Sequence, residues 1–162
     1  MSIEIQGFNP KIIVLACNWC IYSETVLVCL KHLEHPARVR IIKTPCLGHM
    51  DPQFIYQTFQ NSADGVLLVS GCSGDNGCLL DNDCIYSPKD HQQIKEYLRH
   101  LGVEKERYQA VWLSDQGAYN FIEAFTLLIE EINKLGPYSK HYFPINSETT
   151  EVDTHDCRKP RP

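Results

Sequence analysis

The sequence is short of several things, and each shortage closes a class of function. It has no apolar run near the ~20 residues that a bilayer-spanning helix needs, so no membrane association is expected. Met1 to Pro10 has neither the basic start nor the apolar stretch of a secretory leader. Positive charge is not in excess: 15 Lys and Arg stand against 20 Asp and Glu, a net charge of -5. Nucleic acid is therefore not an expected partner. No Gly-Lys-Ser/Thr follows Gly71-Cys72-Ser73-Gly74, so that loop is not a phosphate loop, and no dinucleotide fingerprint follows the first apolar run. Cysteine, eight in 162 residues, is too sparse for a small secreted scaffold stapled by disulfides. The expected location is cytoplasmic, where clustered cysteines read as metal or redox groups.

What is present is a regular alternation of apolar runs and amphipathic stretches. Lys11 to Ala16, Ala37 to Thr44, Asp64 to Ser70 and Tyr108 to Leu113 have the character of buried strands. Between the first two, Tyr22, Val26, Cys29, Leu30 and Leu33 recur at helical spacing before Pro36. Asp51-Pro52 pairs a capping carboxylate with a first-turn proline, and Phe54, Ile55 and Phe59 are the expected buried face of that helix. Ser87-Pro88-Lys89-Asp90 opens a third helix with Ile94, Leu98 and Leu101 inward, and Gly102 sits where a C-cap belongs. Ser114 or Asp115 caps the last helix. Its stripe is Ala118, Phe121, Ile122, Phe125, Leu128, Ile129, Ile132 and Leu135, stopped by Gly136-Pro137.

Four strands alternating with four helices predict an α/β fold. The expected architecture is a three-layer, open parallel sheet with helices on both faces, a flavodoxin-like arrangement. The domain is expected over residues 1–137. Residues 138–162 have few aliphatics and cannot build a core, so they form an irregular C-terminal tail, partner-docking or disordered. Tyr138, Tyr142, Phe143 and Ile145 are grouped at its start.

In such sheets ligands sit outside the carboxyl ends of the strands. Cys17 (with Cys20 in a C-x-x-C pair), Cys46 and Cys72 each lie just past an expected strand end. Cys78 follows in a loop, Gly71 to Asp83, with Gly74 and Gly77, whose backbone N–H groups can converge on one point. An iron–sulfur cluster needs about four converging thiolates, and Cys17, Cys20, Cys46, Cys72 and Cys78 are the candidates. Trp19 can shield such a cluster, and Gly48 and His49 adjoin Cys46. The bland reading is that free cysteines are small buried hydrophobes. It suits Cys29, inside a helix stripe; Cys84 and Cys157 lie away from the edge. Two other readings stay open. One is a zinc-stabilised adaptor joining two enzymes, although only one short C-x-x-C element is clear. The other is a thiol oxidoreductase using Cys17 and Cys20.

Several motifs together resemble the delta subunit of methyl-viologen-reducing (F420-non-reducing) hydrogenase. They are Cys17-Asn18-Trp19-Cys20-x-Tyr22, Cys46-x-Gly48, and Ala63-Asp64-Gly65-Val66 ending in Gly71-Cys72. Leu101-Gly102-Val103-x-x-Glu106-Arg107, Trp112 and Leu135-Gly136-Pro137 are similar too. The resemblance covers about residues 11 to 137. It implies a subunit that carries one [2Fe-2S] cluster and catalyses nothing alone. Such a subunit passes electrons between a hydrogenase or formate dehydrogenase and the flavin subunit of heterodisulfide reductase. The ligands it implies are Cys17, Cys20, Cys46 and Cys72. His49 stands where that family usually has arginine, and Cys78 lies one residue further on than the family's corresponding cysteine.

Overall fold

The computed structural model describes residues 8–17, 37–71, 88–113 and 117–139. Within them lie β1 (Lys11–Cys17), β2 (Arg38–Thr44), α1 (Pro52–Gln60), β3 (Gly65–Ser70), α2 (Pro88–His100), β4 (Tyr108–Trp112) and α3 (Gly117–Leu135). A 3-10 turn at Lys105–Arg107 enters β4. The helix expected within Ile21 to Leu33, most of the loop from Gly71 to Asp83, and the cap at Ser114 or Asp115 lie outside the described residues.

The four strands form one all-parallel sheet in the order β2-β1-β3-β4. The steps from β2 to β3 and from β3 to β4 run in the same direction across the sheet. Right-handed crossovers then put α1 and α2 on one face. Ile55 and Phe59 of α1 and Ile94 and Leu98 of α2 pack there against Leu15, Cys17, Val66, Leu68 and Tyr108. The opposite face belongs to α3: Phe121, Phe125, Leu128 and Ile132 cover Ile12, Val14, Leu67, Val69 and Val111. The alternation of these two sets along each strand is the period of two of a pleated strand. Three layers result, as in the flavodoxin-like arrangement, and β3 is buried at every position.

Local chemistry sets the element ends. Asp51 Oδ1 accepts a hydrogen bond from Gln53 N at 2.8 Å and caps α1, with Pro52 in its first turn. Gly102 and Gly136 adopt positive φ (82° and 78°) where α2 and α3 stop. Gly65 lacks a side chain for a packing reason: a Cβ there would overlap Ile132 Cδ1 of α3. Two expected core residues are exposed. Phe54 is 43% exposed, because it projects toward the open β2 edge, where the sheet ends; Leu135 is 40% exposed at the last position of α3.

The amino edge of the sheet is tied by one buried side chain. Arg107 is 1% exposed and grips Glu104 through Nε (2.8 Å) and Nη2 (3.1 Å). Its Nη1 donates to the carbonyls of Asp64 (3.1 Å) and Gly136 (3.0 Å). Asp64 in turn accepts from the backbone N–H groups of Lys11 (2.8 Å) and Tyr138 (2.9 Å). Tyr138, first of the apolar residues grouped at the start of the tail, thus packs on the domain itself. Its ring lies edge-on to Phe59 and 5.5 Å from the Arg107 guanidinium.

Candidate functional site

The reversal of strand order falls between β1 and β3: the chain steps from β1 to β2 on one side, and from β3 to β4 on the other. The crevice outside the carboxyl ends of these strands is where open α/β sheets bind ligands. Cys17 is the last residue of β1 and pairs with Thr44, the last of β2. Thr44 Oγ1 donates to the Ala16 carbonyl at 3.4 Å, which closes the two strand ends against each other. Ala16 also pairs with Val69, so Cys17 and Ser70, one residue on in each strand, are neighbours on the α1/α2 side.

The Cys17 thiol is free and buried, and its Sγ approaches the Pro45 carbonyl at 3.9 Å. Cys46, the next residue, is half-buried and disulfide-bonded. After Cys46 the chain turns tightly, with Met50 N donating to the Leu47 carbonyl at 3.2 Å. That turn carries the exposed Gly48 and His49 and delivers the chain to the Asp51 cap of α1. Leu47 is buried in the same cluster as Cys17.

Of the sequence-predicted site residues, the structure brings Cys17, Cys46, Gly48 and His49 to one edge. Trp19, Cys20, Cys72, Gly74, Gly77 and Cys78 lie outside the described residues. Among the described residues no group of three His, Cys, Asp or Glu side chains is placed to hold a metal ion. The donor set that is visible nevertheless has the right chemistry for an iron–sulfur centre. Cys17 ends β1, and Cys46 lies two residues past the end of the neighbouring strand β2; in reduced form both are thiolate donors of the kind such a centre uses.

One arrangement on this side had no sequence signal. His91, in the first turns of α2, stacks on Tyr108 (ring centroids 4.8 Å apart, planes 26° apart) and meets Trp112 edge-on at 6.0 Å. Burial, with help from the neighbouring Lys95 charge, lowers its pKa from 6.5 to about 4, so it is neutral at physiological pH. Trp112 pairs with Ser70 at the ends of β4 and β3, and the stack therefore flanks the crevice from the β4 side. Only the position of Trp112 at a strand end is legible in sequence; the placement of His91 depends on how α2 packs.

Among the described residues no helix is long and apolar enough to cross a membrane. The family profile of the methyl-viologen-reducing hydrogenase delta subunit matches residues 12–136. The chain is 31% identical over 139 residues to an iron-sulfur subunit of the F420-non-reducing hydrogenase of Archaeoglobus profundus, covering 82% of this chain and 96% of that one. It is 30% identical over 138 residues to an iron-sulfur subunit of the F420-non-reducing hydrogenase vhc of Methanococcus voltae, covering 82% and 90%. It is also 28% identical over 128 residues to a subunit of the ferredoxin:CoB-CoM heterodisulfide reductase of Methanosarcina mazei. That match takes up 79% of this chain but only 16% of the reductase polypeptide. With the profile matching from the first core residue of β1 to the glycine that ends α3, the chain belongs to the methyl-viologen-reducing hydrogenase delta subunit family.

Proposed function

We propose that this chain is a cytoplasmic electron-transfer subunit carrying one [2Fe-2S] cluster, held by four of Cys17, Cys20, Cys46, Cys72 and Cys78. The observation that carries the reading is the convergence at the switch point. The buried Cys17 thiol lies against the Pro45 carbonyl, and Cys46, the residue after Pro45, stands beside it at the same edge and would ligate in its reduced, thiolate form. Bound there, the cluster supplies a one-electron carrier. The chain's own residues shield and orient the thiolates. Leu47 and the α1/α2 core keep water from Cys17, and the Leu47–Met50 turn fixes Cys46 beside the strand ends.

The proposed partners are a hydrogenase or formate dehydrogenase on the donor side and the flavin subunit of a heterodisulfide reductase on the other. The relatives support the second partner in a specific way. The same domain occurs as a separate hydrogenase polypeptide and as a small part of a much longer heterodisulfide reductase polypeptide. A domain found both ways is suited to work against the rest of that longer chain.

Anaerobic purification, with iron, acid-labile sulfide and zinc analysis and visible and electron paramagnetic resonance spectra, tests the reading. Two iron and two sulfide per chain, with a one-electron reduced signal, are expected. Stoichiometric zinc would establish the structural-metal adaptor instead. A metal-free chain with a reversible dithiol would make it a thiol oxidoreductase.

A further inference from the structure

A groove of about 550 Å³ lies between the edge strand β2 and α1, on the face away from α3 and outside the thiol site. Ile13, Ile42 and Phe54 line it, together with the exposed Lys11, Arg38 and Arg40. Phe54 is a large apolar side chain left 43% exposed at its wall. Neither Arg38 nor Arg40 has an ion pair among the described residues. β2 also ends the described sheet, with a free backbone edge of the kind that proteins cover or charge.

We propose that this groove receives the chain's own C-terminal segment, residues 140–153. The first support is where the described chain stops. Tyr138 is pinned to Asp64 beside a smaller cavity of about 340 Å³, whose lining includes Lys11, Arg38 and Ser62. Those three residues also line the groove, so the chain departs from the groove's mouth. The second is reach. The lining of β2 from Arg38 to Ile42 spans roughly 13 Å at ~3.3 Å per residue, and residues 140–145 extend to roughly 20 Å.

The third support is the order of residues in the segment. Tyr142, Phe143 and Ile145 come first and suit an apolar groove. Glu148, Glu151 and Asp153 follow, opposite in sign to Arg38 and Arg40 of the groove wall. Because Tyr138 is already fixed, docking is intramolecular, at a high effective concentration and without the cost of bringing two molecules together. The family match ends at residue 136, so the occupant belongs to this chain and not to the shared family domain. Docked, the segment covers the sheet edge and keeps a second chain from pairing with it.

Hydrogen exchange on the full-length protein tests this. The outward-facing amides of β2 and the amides around Phe54 should be protected, and Phe143→Asp should speed their exchange about tenfold or more while β3 and α3 are unaffected. Arg38→Glu with Arg40→Glu should have the same effect, and adding Glu148→Lys with Glu151→Lys should restore protection. Equal exchange in wild type and Phe143→Asp would overturn the proposal. Protection that rises with protein concentration would overturn it in favour of a second copy. Protection seen only after a partner protein is added would overturn it in favour of that partner.

Discussion

The two edges of the sheet are built on opposite plans. At the amino edge the Arg107 guanidinium and the Asp64 carboxylate are fully engaged: Arg107 serves Glu104, Asp64 and Gly136, and Asp64 serves Lys11 and Tyr138. None of these groups is left over to bind a ligand. At the carboxyl edge β1 ends in the Cys17 thiol, held by a weak contact, the 3.9 Å approach of its Sγ to Pro45 O. Residues that carry the family resemblance occur at both edges, so a shared motif is not by itself a functional site. Asp64, Gly65, Arg107 and Gly136 belong to the fold's fastening; Cys17 and Cys46 stand at the edge where the proposed chemistry lies.

Substitutions at the two edges should therefore separate metal content from stability. The largest effect is expected at the carboxyl edge. Cys46→Ser should abolish the cluster, since no neighbouring side chain can replace the thiolate, and Cys17→Ser should do the same. In the reduced, metal-free chain the unfolding midpoint should shift little for Cys46→Ser, at a half-buried position outside the strands, and more for Cys17→Ser, which puts a hydroxyl into the core. Iron and sulfide retained in full by the Cys46 variant would remove Cys46 from the ligand set.

At the amino edge the reverse is expected. Arg107→Met strands the Asp64 and Gly136 carbonyls and releases Glu104. The half-exposed Glu104 can rehydrate, so the cost should be about 3 kcal/mol, below the full penalty for breaking a buried pair. Urea unfolding measures it, and iron per folded molecule should not change. A loss of iron without a loss of stability would join the two edges into one functional unit.

His91 offers a pH test of the α2 side. Its folded pKa, about 4, lies below the unfolded value of 6.5. Between these values the unfolded chain binds the extra proton, so this contribution is complete above pH 6.5 and is lost as pH falls toward 4. Allowing for the partly solvated ring, the effect should be on the order of 1 to 2 kcal/mol. The stability difference between wild type and His91→Gln, followed over that range, isolates it from the carboxylates. A constant difference would show that the imidazole does not change charge with folding.

The smallest expected effect is at Gly65. Gly65→Ala forces the Ile132 side chain aside; because the obstructing atom is the end of a rotatable chain, the cost should be about 1 kcal/mol. Ile132→Val combined with it should recover part of the loss, as a double-mutant cycle would show.

Much of this was readable in the sequence. Apolar runs located all four strands to within a residue or so: β1 and β3, buried along most of their length, leave a nearly continuous apolar record, and Val39, Ile41 and Ile42 mark β2 between its exposed basic residues. Asp51-Pro52 marked the start of α1, and Gly102 and Gly136 marked the ends of α2 and α3. The thiol edge was legible for a topological reason: parallel strands point the same way, so residues just past each strand share an edge without any knowledge of strand order. Phe54 was misplaced because helical spacing shows which residues are apolar, not where the sheet beneath them runs out. His91 was missed because a single imidazole on a polar helix carries no periodic signal.

The sequence by itself determined the described elements, their alternation and the edge on which Cys17 and Cys46 fall, since these follow from local hydrophobic period and chain direction. Only the tertiary structure decided the order β2-β1-β3-β4, the groove at the uncovered edge, and the choice of Arg107 as the fastening of the amino edge. The carbonyls that Arg107 grips lie 43 and 29 residues away along the chain. A contact over such a separation leaves no local pattern; it exists only once burial has brought Asp64, Glu104 and Gly136 around one guanidinium and left it no water to bond.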